Sequence, residues 1–155
     1  MFSKANDSTL EYLEQAGFMF PTQKPSISDQ LPDEWDSLME QEGGMMRLQS
    51  VNLEDYLEKW DRLVGYAKWV RGVWNDRVEA LERLHNYVKD YIFTRVEGGS
   101  RELRGAVAGS HPITLEVLEQ LNEWSRKRNV LDGLIYKWEG IKFSISRTIT
   151  NRQSR

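Results

Sequence analysis

The sequence predicts an all-α protein: a long antiparallel, coiled-coil-like helical hairpin with an N-terminal arm of short helices. Three observations carry this. All four prolines (Pro21, Pro25, Pro32, Pro112) fall outside two long stretches. Apolar residues recur through both stretches at spacings of three and four, the period of one helix face. Gly98, Gly99, Gly105 and Gly109 gather between them. The expected organisation is an acidic arm over 1–50 and a hairpin over 51–155, with helices over about 53–97 and 114–152 and a Gly-rich loop over 98–113.

The arm contains two short amphipathic patterns. After Ser8, LEYLEQAGF sets Leu10, Leu13 and Phe18 on one side of a helix. A Pro- and Ser-rich connector follows, then PDEWDSLME, with Pro32 in the first turn and Trp35, Leu38 and Met39 on one face. Short apolar clusters on an acidic tether suit docking onto a partner or another subunit.

The first long helix opens near Asn52, a favoured N-cap residue, with Glu54 and Asp55 where acids suit the helix dipole. Its seam runs Trp60, Ala67, Trp74, Leu81, Val88, beside Leu63, Val70, Leu84, Tyr91, widened by Val64, Val78 and Ile92. Gly98 and Gly99 end it. A helical piece around Glu102–Val107 fits within the linker. The second long helix follows Pro112, capped by His111 or Thr114. Its seam is Leu118, Leu121, Trp124, Leu131, Leu134 or Ile135, Trp138, Ile141, Ile145 and Ile149. Gly133 and Gly140, seven apart, read as small residues that let a neighbouring helix approach.

Two helices cannot bury both seams and also the second stripe of Tyr66, Trp69 and Val73. The arm or another copy of the chain must cover it, so a homo-oligomer is expected. Trp60, Trp74 and Leu81 of the seam, with Trp35 and Leu38 of the arm, are assigned to an oligomer or partner interface.

The net charge of −3 excludes a uniformly basic nucleic-acid binder but conceals polarity. Residues 1–42 hold nine acids against Lys4 and Lys24, a net of −7. Residues 125–155 hold eight bases against Asp132 and Glu139, a net of +6. With no cysteine, disulfides, thiolate metal sites and a Cys nucleophile are excluded. Apolar runs are too short for a membrane span, and the charged N-terminus does not read as a secretory signal. The expected setting is cytoplasmic.

Catalytic residue types are scarce. His85 falls on the inner side of the first helix and His111 beside a proline, neither in a zinc-binding context. No phosphate-cradling or nucleophile-elbow motif is present. The expectation is a non-enzyme without metal or cofactor. The remaining chemistry is basic and aromatic. Arg126, Lys127, Arg128, Lys137, Lys142 and Arg147 recur along the second long helix, while Tyr66, Lys68 and Trp69 mix rings with a cation on the first. Single strands are held by such pairings of rings for bases and cations for phosphates. The same cations could instead pair with the acidic arm.

The order of elements resembles small helical phage proteins of the UvsY type. The resemblance lies in Tyr66-Ala67-Lys68-Trp69-Val70, in the Arg/Lys-spaced remainder of that helix with its Gly/Ser-rich loop, and in Trp124–Arg147, ending Ile141-Lys142-Phe143 and Ser146-Arg147. It covers about 55–150. The acidic arm departs from the pattern, and acids dilute the basic run of the first helix. The resemblance implies a ring-like homo-oligomeric recombination mediator. Such a protein binds single-stranded DNA along its helices and assists a RecA-like recombinase, in the bacterial host cytoplasm if phage-encoded. The alternative is a structural or adaptor protein of a phage assembly, whose acidic arm docks on a neighbouring subunit.

Overall fold

The computed structural model describes residues 30–154. The patterned segment around Leu10, Leu13 and Phe18 lies outside them. The described residues form four α-helices and one 3₁₀ turn, with no strand among them: α1 (Leu31–Glu40), the 3₁₀ turn (Gly44–Arg47), α2 (Ser50–Arg95), α3 (Arg101–Ser110) and α4 (Pro112–Gln153). The two long helices, α2 and α4, pack against each other as an all-α hairpin.

Local chemistry explains the boundaries. In α1, Pro32 occupies the first turn with Asp33 and Glu34, and the Glu34 N–H donates to the Gln30 carbonyl at 2.9 Å. Gln41 turns extended and Gly43 takes φ +84°, a conformation that favours glycine. Helix α2 begins at Ser50, two residues ahead of the expected cap. The Gln49 carbonyl starts its ladder, accepting from Asn52 (3.0 Å) and Leu53 (3.1 Å), so Asn52 is a first-turn residue. Past its end, Gly98 (φ +77°) and Gly99 (φ +83°) reverse the chain. Ser100 caps α3 by accepting from the Leu103 N–H at 3.2 Å, and α3 takes up most of the expected loop. Between α3 and α4, His111 Nδ1 accepts from the Ile113 N–H at 3.3 Å, ahead of Pro112 at the first helical position. His111 rather than Thr114 therefore makes the cap.

The chain divides into two compact units. In the first (residues up to 70 and from 131), α1, the 3₁₀ turn and the adjoining ends of α2 and α4 enclose one core. Its members are Leu31, Trp35, Leu53, Tyr56, Trp60, Leu63, Ile145 and Ile149. Trp60 is fully buried, with the rings of Trp35 and Trp138 each 6.2 Å from its own. The helices run antiparallel here: Asp61 pairs with Lys142, Lys68 pairs with Glu139, and Arg152 donates to the carbonyls of Leu48 (2.6 Å) and Met46 (3.1 Å). Helix α1 lies on the Tyr56–Trp60 stretch of its own chain. Its Trp35 ring is 5.3 Å from that of Tyr56, and Asp36 stands 3.5 Å from Lys137.

In the second unit (residues 71–130), Val78, Leu81, Ala108, Thr114 and Val117 are buried. Trp74 meets Trp124 edge-on at 5.9 Å, and Arg104 covers the Phe93 ring at 4.9 Å. One seam assignment changes: Tyr91 is exposed rather than inward. Of the two candidates on α4, Ile135 rather than Leu134 fills the inward position.

Candidate nucleic-acid interface

The expected cations are for the most part already engaged. On the first unit, Lys68 pairs with Glu139, Lys137 with Asp36 and Lys142 with Asp61. Arg147 is exposed on α4. Tyr66 and Trp69 are half-buried and lie against each other, ring centroids 6.0 Å apart and tilted 32°. On the second unit, Lys127 pairs with Glu123 at 2.6 Å. Lys127 and nearby Arg77 hold the Glu123 carboxyl below its usual range, the hydrogen bond from Lys127 first. Arg126 is exposed, and Arg128 reaches Asn129 at 3.4 Å. Two cations lie over the Trp124 ring, Arg77 at 4.0 Å and Lys127 at 4.6 Å from its centre.

The five residues assigned to an interface also sit differently. Trp35, Trp60 and Leu81 are buried inside the single chain. Leu38 packs against the same core as Trp35, and Trp74 rests on Trp124. Trp35, Trp60 and Leu81 belong to the core of the single chain, whose own helices reach them first.

The sequence reading missed one aromatic group. Arg83, Tyr87, Tyr91 and Arg95 follow one another at intervals of four along α2, which sets them on neighbouring turns of one face. Tyr87 is 67% exposed and Tyr91 46% exposed. Their rings are 6.3 Å apart and stacked, at 25°. The Arg95 guanidinium lies 4.3 Å from the Tyr91 ring centre, and Arg83 is held loosely by Glu79 at 3.7 Å. The spacing was available in the sequence. Tyr91 also falls seven residues after Leu84, the spacing of the seam, and that spacing alone assigns it inward.

Among the described residues no cluster of three or more His, Asp or Glu is placed to hold a metal ion, and no helix is long and apolar enough to cross a membrane. Compared with protein-family models, with curated proteins and with solved structures, the chain matches none.

Proposed function

We propose that this protein is a non-catalytic, self-associating binder of single-stranded DNA, similar in role to a recombination mediator that assists a RecA-like recombinase. The observation that carries the reading is the exposed Tyr87–Tyr91 stack with an arginine one turn beyond each ring. Base–aromatic stacking is tolerant of sequence, and guanidiniums supply the phosphate contacts. Glu82, Lys89 and Asp90 balance the charge nearby, so stacking contributes as much to affinity as counterion release does. With about two phosphates neutralised, the expected slope of log K against log salt is shallow, roughly −1.4. Fluorescence anisotropy of a labelled oligonucleotide at low salt tests it. Absence of binding at micromolar protein would remove the reading.

A second reading, a structural or adaptor protein, is favoured by the docked α1 and by the exposed rings on the outer side of α4. It predicts assembly indifferent to nucleic acid. The oligomeric state measured with and without single-stranded DNA separates the two. In either reading the host cytoplasm is the proposed setting.

A further inference from the structure

Gly133, Tyr136, Gly140 and Phe143 recur on α4 at intervals of three, four and three. At about 100° per residue they lie within roughly 40° of the line opposite Trp138, away from the core side that carries Ile145 and Ile149. Tyr136 is 82% exposed and Phe143 68%. A Cβ added at Gly133 or Gly140 would meet nothing within 4 Å. Among the described residues no helix uses these glycines for close approach, although glycine weakens a helix interior. Beside Gly140, α1 and α4 leave a groove of about 490 Å³, lined by Trp35, Met39, Met45, Gly140 and Ile141 among others. Methionine side chains adapt readily to an inserted ring.

We propose that this face docks a second copy of the chain, α4 against α4, antiparallel about a two-fold axis level with Trp138. Alternating large and bare positions make the face self-complementary in that register, as an isologous contact requires. Tyr136 meets the partner's Gly140 and enters the groove beside it, and Phe143 meets the partner's Gly133. A parallel pairing would set ring on ring and glycine on glycine. Sliding the antiparallel pair by one heptad leaves one ring of each copy without a notch. Each ring offers roughly 150–250 Å². Four together supply roughly 600–1,000 Å², half or more of the lower bound of a stable interface near 1,200 Å², and the helix stems and groove supply the remainder. An interface near that lower bound makes a reversible dimer. It deepens the self-association within the proposed function and uses none of Arg83, Tyr87, Tyr91 and Arg95, the residues of the proposed DNA site.

Sedimentation of the full chain over about 1–200 μM is expected to show the 18.2 kDa monomer converting to a dimer. Gly140→Leu fills the notch, where no described residue comes within 4 Å. It should leave the circular-dichroism melt intact or raised and weaken the dimer at least tenfold, and Tyr136→Ala should weaken it similarly. The natural chain has no cysteine, so a Tyr136→Cys, Gly140→Cys variant should oxidise to a covalent dimer, whereas Gly72→Cys on α2 should not. A chain monomeric at the highest concentration, or a dimer indifferent to Gly140→Leu, overturns the proposal. Oligonucleotide titration of Gly140→Leu keeps the two ideas apart. Binding retained by the monomer leaves the DNA reading standing by itself, and a dimer without DNA binding leaves the interface standing by itself.

Discussion

The Tyr56 hydroxyl donates to the Glu34 carboxylate at 2.5 Å, tying α1 to α2 beside the buried tryptophans. Burial first, and then the hydrogen bond and charge of Glu34, push the Tyr56 hydroxyl from 10.0 up to about 12. A raised pKa means that the folded chain favours the neutral phenol. Its stabilising contribution is complete below pH 10 and is lost as pH rises through about 12. An alkaline melting series should therefore show a falling Tm across that window. Tyr56→Phe should flatten this component and cost about 1.5–3 kcal/mol near neutrality, the usual range for a hydrogen bond to a charged group.

Trp35 holds α1 to the rest of the first unit through edge contacts with Tyr56 and Trp60. Trp35→Ala removes both and opens a cavity against Trp60. The expected loss is about 3–5 kcal/mol, read by denaturant unfolding. Faster proteolysis around Gln41–Gly44 should accompany it, because undocking α1 frees the turn.

Thr114 is fully buried, and its hydroxyl oxygen has no hydrogen-bond partner. Thr114→Val keeps the shape and removes the orphaned group. It should raise stability by about 1 kcal/mol. A thermal melt checks this, and a lowered Tm would mean that the hydroxyl is satisfied in solution.

At the proposed DNA site, Tyr87→Ala and Tyr91→Ala should each weaken oligonucleotide binding by about 1–3 kcal/mol while barely moving the melt, since both rings are exposed. Arg95→Gln should make the salt slope shallower by about 0.7. Lys142→Gln removes a cation already paired with Asp61 and should leave affinity unchanged. Equal losses at Lys142 and Tyr91 would shift the site to α4.

Ser100 caps α3 by accepting from the Leu103 N–H at 3.2 Å. Ser100→Ala should cost about 0.5–2 kcal/mol, and Ser100→Asp should restore most of it. Hydrogen exchange at Leu103 and Arg104 is the local readout.

Much of the architecture was legible because helices are local. Pro32 and Pro112 begin elements, the Gly98–Gly99 pair ends one, and the three-four spacing of Trp60, Leu63 and Ala67 names an inner face within a few turns of chain. What periodicity leaves open is which of several apolar stripes is covered, and by what. Tyr91 and Trp60 both fit the seam, yet only Trp60 lies where α1 and Trp138 close over it. Charge was still less legible. The count along the chain showed an acidic head and a basic tail, but pairing depends on cross-helix register. That register puts Lys137 against Asp36, Lys142 against Asp61 and Lys68 against Glu139.

The sequence by itself thus determined that the chain is helical, where its two long helices run to within a few residues, and most of each inner face, because those follow from interactions within about four residues. The tertiary structure alone decided which cations are neutralised, that Trp35 is core rather than interface, and that Tyr87, Tyr91, Tyr136 and Phe143 remain outside. Each of those outcomes is a contact between residues far apart in the chain, or the lack of one, and is set by how α1 and α4 seat against α2 within each unit.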